Sequence, residues 1–197
     1  MYDGLRGVLL ICALFVVASG YTQGKKYPYV QNGKIIVCRE GNDGVKLSLI
    51  HPNWTSTSIP EHNELSNEYN RFAAKFEVAN SDAKGKDGSS TKMTWYEASG
   101  TYDFTCNYLK YSACANYSQD SGGKDKGSWR LPTIRELKLI YALQYELTVG
   151  SFSSYWSATA PSHHTKTIWY VSFDNGKEDC NWDKAYGGLH VRCVRDL

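Results

Sequence analysis

The hydrophobic period of this chain passes from helical to alternating near Gly150, and that change limits the folds open to it. Before it, Pro132-Thr133-Ile134-Arg135-Glu136-Leu137-Lys138-Leu139-Ile140-Tyr141-Ala142-Leu143 sets Ile134, Leu137, Ile140 and Tyr141 on one helical face. Thr133 with Glu136 one turn later is a capping box, so the pattern predicts a helix from near Thr133 to about Leu147, stopped by Gly150. A first helix is predicted over Thr94-Trp95-Tyr96-Glu97-Ala98, with Thr94 as its N-cap. After Gly150 the apolar residues alternate. Tyr155-Trp156-Ser157-Ala158-Thr159 and Thr167-Ile168-Trp169-Tyr170-Val171-Ser172-Phe173 read as strands, Asp174-Asn175-Gly176 as a hairpin turn, and Leu189 to Arg195 as a closing strand. Glu178 to Gly188 reads as a polar, aromatic loop. Helices followed by a small antiparallel sheet make an α+β domain.

The chain ahead of residue 91 is different in kind. Lys34 to Cys38, Val45 to Ile50 and Ala73 to Ala79 read as short strands, with a turn at Gln31-Asn32-Gly33. Residues 51–70 are polar and loop-like, and Ser81 to Lys92 reads as a Gly-, Ser-, Lys- and Asp-rich connector. Residues 21–90 are thus expected to be a β-rich extension and linker, and residues 91–197 the folded domain. Residues 100–128 read as loop.

The first twenty residues read as a signal peptide. An apolar run from Gly7 to Ala18 follows Arg6 and ends in Ala18-Ser19-Gly20, too short to span a bilayer but suited to cleavage after Gly20. The expectation is a secreted or cell-surface protein without a membrane span after cleavage. Cys12 would leave with the signal, and Cys38, Cys106, Cys114, Cys180 and Cys193 would remain; in an exported chain these read as disulfide partners with one left over. No Cys-x-x-Cys pair suggests zinc. The net charge of +2 is spread among acids with no basic stripe, which argues against nucleic acid. No Ser-His-Asp set, Gly-rich phosphate loop or His-Glu-x-x-His occurs, so no enzyme is expected.

Five motifs in order carry a resemblance: Trp129-Arg130-Leu131-Pro132-Thr133, Glu136-Leu137, Tyr155-Trp156-Ser157-Ala158-Thr159, Trp169-Tyr170-Val171 and Val191-Arg192-Cys193-Val194-Arg195. Over roughly residues 91–197 the chain resembles the bacterial domain typified by the C-terminal region of the Legionella collagen-like protein, a C-type-lectin-like fold near the formylglycine-generating-enzyme type. Tyr27 to Val37 is similar, more weakly, to Bacteroidales surface proteins that carry this domain. The resemblance implies two helices packed on a small twisted antiparallel sheet. It also implies a bridge from a cysteine after the first helix to the last strand, Cys114–Cys193, with Cys106–Cys193 and Cys180–Cys193 as alternatives. A bridge closing about eighty residues would stabilise by roughly 4 kcal/mol in the chain-entropy model.

The resemblance further implies that loops between the final strands bind the ligand. The candidate residues are Tyr155, His163, His164, Thr165, Asp179, Asn181, Trp182, Asp183 and Tyr186, with an indole and a phenol among short hydrogen-bonding side chains. Against this stand plainer readings: Trp182 as core beneath the loop, and His163 and His164 as an exposed turn. Neither calcium motif of the sugar-binding animal lectins occurs, so no metal or cofactor is expected, although Asp179, Asn181 and Asp183 carry hard oxygen donors. The expected function is an adhesin or receptor-binding module for a host or bacterial surface protein or glycan, with loops of the kind diversified by retroelements. The alternatives are a structural pilus subunit that exchanges residues 21–50 with a neighbour, and an enzyme of the formylglycine-generating type.

Overall fold

The computed structural model describes residues 28–37, 73, 75–100, 111–147, 153–161 and 166–197. The expected signal peptide, the strand at Val45 to Ile50, and Cys38 and Cys106 lie outside these residues. Among those described, the strands form two sheets with short helices between them, the α+β class expected.

The first sheet begins with β1 (Tyr29–Gln31) and β2 (Lys34–Ile36), paired antiparallel with Gln31 opposite Lys34. Asn32 and Gly33 join them at φ 52° and 71°. An Asn-Gly pair adopts that left-handed geometry at low cost, and its twist matches the strands it links. β3 (Lys75–Val78) lies on β2, and the last strand of the chain, β9 (Val194–Asp196), lies on β3. Residues from before position 91 therefore pair directly with the C-terminus. Ile35, Phe76, Val78 and Val194 are buried here against Leu137 and Ile140.

Three helical pieces carry their caps in sequence. In α1 (Trp95–Ser99) Thr94 and Glu97 form a capping box, and Gly100 closes the helix at φ 75°. α2 (Ala113–Asn116), which the sequence pattern does not announce, is capped by Ser112. α3 (Ile134–Ala142) has the predicted Thr133–Glu136 box, but Leu143 leaves helical geometry and the remaining turn, α4 (Gln144–Leu147), is separate. The single helix expected to reach Leu147 is therefore two.

The second sheet runs β4 (Lys92–Met93), β8 (Leu189–His190), β5 (Ser154–Trp156), β6 (Thr167–Ser172), β7 (Glu178–Asp183). Its pairs are antiparallel except β5 with β8, which is parallel. The expected closing strand from Leu189 to Arg195 is divided, because β8 belongs to this sheet and β9 to the other. The residues between them, Val191, Arg192 and Cys193, are buried at the junction. Cys193 is bonded there to Cys114, the pairing that the resemblance implied, so neither alternative partner holds it. Two indoles span this core with their donors satisfied: Trp95 Nε1 donates to the Ser157 carbonyl and Trp156 Nε1 to that of Met93, each at 2.9 Å.

A buried ion pair joins the layers. Arg130 donates to both oxygens of Glu136 and to Asp196 on β9, while Glu136 also accepts from the backbone N–H of Thr133 and Ala73. Among the described residues no helix is long and apolar enough to cross a membrane.

Candidate functional site

Among the described residues, β7 is the outer strand of the second sheet and pairs only with β6. Its sequence, Glu178-Asp179-Cys180-Asn181-Trp182-Asp183, lacks the apolar alternation of a covered strand, which is why it reads as loop. A bulge changes what it presents. Ile168 faces Trp182 and Tyr170 faces Asp179, so β7 holds one residue more than β6 between those pairs. Partners in register share a face, so the extra residue brings Asp179 and Trp182 to the side of Ile168 and Tyr170. Asn181 joins them: its Oδ1 accepts from the Tyr170 hydroxyl at 3.3 Å, and its Nδ2 donates to Asp179 at 3.4 Å.

The turn after β7 completes the group. Tyr186 N–H returns to the Asp183 carbonyl at 2.8 Å, and Asp183 Oδ1 takes the Ala185 N–H at 2.8 Å. The closed turn lays Tyr186 on Trp182, ring centres 3.9 Å apart, with Tyr170 edge-on to Trp182 at 6.1 Å. Behind it, a Cβ on Gly188 would stand 2.1 Å from the Tyr186 ring, so only glycine leaves the phenol its seat. Tyr186 is nonetheless 42% exposed, and among the described aromatic residues only Tyr145 is more so. Trp182 is half-buried, packed against the main core from its edge, and so combines the core and surface readings.

Charge is distributed unevenly along this edge. The Lys177 ammonium 3.0 Å from Asp179, helped by the Cys180 N–H, holds the Asp179 carboxyl below its usual range, and Asp179 in turn raises Lys177. Lys184 turns inward, 6% exposed, with its ammonium 5.1 Å from the centre of the Trp95 ring. Asp183 is exposed and in no ion pair among the described residues.

The structure thus brings together Asp179, Asn181, Trp182 and Tyr186, while Asp183, in register with Thr167, lies on the other face of β7. Tyr155 is a correction: at 1% exposure it is core, tilted against Phe173 at 4.6 Å, and offers no face to a ligand. Burial, with the Asp82 carboxylate nearby, pushes its hydroxyl up, partly offset by Arg192. The alternating strand pattern that exposes β7 on one side buries β5 on both, and the sequence of β5 alone does not distinguish the two. His163, His164 and Thr165 lie outside the described residues. Tyr170, Lys177 and Gly188 were not anticipated; for Tyr170 the signal was present, since it falls on the Ile168 face of β6.

Beyond Gly187 the surface opens into a groove of about 630 Å³ between α1 and the Gly85–Ser90 turn, floored by Met93. Among the described residues no group of three or more His, Cys, Asp or Glu side chains could hold a metal ion.

Compared with known proteins, residues 86–195 match the family described as the Lcl C-terminal domain. No curated protein matches the chain.

Proposed function

This chain belongs to the family of the Lcl C-terminal domain, and we propose that it is a surface or secreted ligand-binding module whose β7 and following turn are the binding face of an adhesin or receptor-binding protein. One observation carries the reading. A bulge and a closed turn on the outer described strand hold an exposed tyrosine, a half-buried tryptophan, an amide and a carboxylate together. Rigid rings with polar rims suit recognition, because little side-chain entropy is lost on contact. The rest of the domain acts as scaffold, and the ligand is held non-covalently with no chemical step.

The partner in this reading is a host or bacterial surface protein or glycan, met after export and signal cleavage at about Gly20. Carriage at a pilus tip, and diversification of the β7 region by a retroelement, extend the same reading. A near-copy of the last hundred or so bases beside the gene, differing mainly at adenines, is the signature of such diversification; without it that extension falls. The reading itself is tested by glycan and protein arrays. Saturable binding that drops about tenfold or more in Trp182→Ala and Tyr186→Ala is expected, and binding indifferent to both substitutions overturns it.

A further inference from the structure

We propose that the Trp182–Tyr186 stack and the groove beyond Gly187 are two parts of one extended site, and that this site takes an uncharged oligosaccharide; the proposal rests on the reading of β7 and its turn as the binding face. The exposed Tyr186 ring and the groove wall are consecutive in the chain, since Gly187 belongs to that wall. No backbone requirement explains this glycine. Its φ lies outside the left-handed region, and beyond its chain neighbours a Cβ built on it would find Thr94 Cγ2, at 3.9 Å, nearest. Gly188, by contrast, is held to glycine by the Tyr186 ring. A side chain at position 187 would stand on open surface at the end of the groove, and glycine leaves that passage clear. The groove's volume of about 630 Å³ falls in the usual range of roughly 300–1,000 Å³ for small-molecule sites.

The charges around the site give a charged guest no advantage. Beside the rings, Glu178 is paired with Lys138 at 3.6 Å and Asp179 with Lys177 at 3.0 Å, while Asp183 faces away. In the groove Lys86 and Lys92 stand with Asp87 and Glu97, two charges of each sign. Both carboxylates are already engaged: Asp87 accepts from the backbone N–H groups of Ser89 and Ser90 at 3.0 Å each, and Glu97 from that of Thr94 at 3.2 Å. An ion entering here gives up its water without meeting a net opposite charge. A sugar hydroxyl both donates and accepts, so it can use ammonium groups and carboxylate oxygens alike. The C–H face of a pyranose ring is flat and apolar, which suits the exposed Tyr186 ring, and Asn181 offers an amide close by. Met93 gives the groove an apolar floor for a further ring.

The test uses the whole chain, with binding followed by calorimetry and tryptophan fluorescence. The probes are cellohexaose, maltohexaose and an α-linked mannohexaose with their disaccharides, an anionic hexagalacturonate, a cationic glucosamine hexamer, and a neutral hexapeptide of glycine, serine and asparagine. At least one neutral hexasaccharide is expected to bind saturably, about tenfold tighter than its disaccharide. Gly187→Leu should bring that hexasaccharide down to the affinity of the disaccharide, with a urea midpoint no lower than that of the unaltered chain, because the added side chain meets open space. Tyr186→Ala should weaken both lengths about tenfold. Equal affinity for the two lengths, or indifference to Gly187→Leu, overturns the proposal. A charged hexamer or the peptide binding more tightly than every neutral sugar also overturns it, and the binding face stands if that binding is lost in Trp182→Ala. If no probe binds, the proposal falls; the binding face falls with it when the glycan and protein arrays are empty too.

Discussion

Arg130 and Glu136 meet through two parallel hydrogen bonds, 2.7 and 2.8 Å long, with the carboxylate fully buried. Arg130 lies just ahead of α3 and Glu136 in its first turn, yet their third partner, Asp196, is on the final strand. Burial alone would make the guanidinium easier to deprotonate; the charges and hydrogen bonds of Glu136 and Asp196 reverse that. Removing Glu136 leaves the buried guanidinium with Asp196 as its one remaining counter-ion, so Glu136→Gln is expected to cost about 3 kcal/mol. Urea unfolding should show a lower midpoint at unchanged slope.

The Cys114–Cys193 bridge spans a sequence separation of 79 and ties α2 to the junction between the two sheets. In the chain-entropy model a loop of that length contributes about 4–5 kcal/mol. Unfolding in the presence of a reductant, or of the Cys114→Ala, Cys193→Ala double variant, should show a loss of that order. A midpoint unmoved by reductant would show that the bridge does not form in solution.

The turn between β6 and β7 depends on Gly176. Its φ is 71°, and a Cβ there would sit 2.3 Å from Cε1 of Tyr141 on α3. Lys138 on the same helix donates to the Gly176 carbonyl at 3.0 Å. Gly176→Ala must bear both a left-handed backbone and a clash, an expected cost of about 2–4 kcal/mol. Adding Tyr141→Ala should remove the steric part and none of the backbone part, which a double-mutant cycle will separate.

Asp125 organises the loop ahead of Trp129. Burial raises its pKa, but hydrogen bonds from Ser118, the backbone N–H groups of Gln119 and Asp120, and the Trp129 indole outweigh it and hold the carboxyl well below its ordinary 3.8. A carboxyl more acidic when folded than unfolded stabilises fully above its unfolded pKa, and that contribution is lost as pH falls through the folded one. The loss therefore belongs below pH 3.8. Carbon-detected NMR titration should find Asp125 still ionised at that pH, and Asp125→Asn should flatten the acid limb of the stability curve. Half-titration of Asp125 at 3.8 would contradict the hydrogen bonding described.

Local signals were legible in the sequence where they were self-contained. The Thr133–Glu136 box, the Thr94 cap and the Asn32-Gly33 turn each declare themselves within a few residues, and each forms. What the sequence hides is set by partners far along the chain. Glu136 reads as a capping residue, but its burial follows from Arg130 and from Ala73, 63 residues away. Leu189 to Arg195 reads as one strand because its composition is uniform; it is divided by β4 and β5 claiming one end and β3 the other. At the candidate site the residue types of β7 were recognisable, whereas the bulge that gathers them is a matter of register with β6. Tyr155 fails for the converse reason: an aromatic beside polar neighbours resembles a contact residue until both faces of its strand are seen to be covered.

The antiparallel match of β3 with β9 has a mechanical side. Lys75 and Leu197 stand at the same end of the pair, the C-terminal N–H bonded back to the Lys75 carbonyl, so tension applied at the chain ends peels these strands apart bond by bond rather than shearing them. Peeling reaches Cys193 immediately after Val194, and there the covalent link to Cys114 takes the load. The segment it encloses, with β7 and its aromatic turn inside, cannot be drawn out, so the molecule under pull would lengthen outside that loop and keep the turn intact.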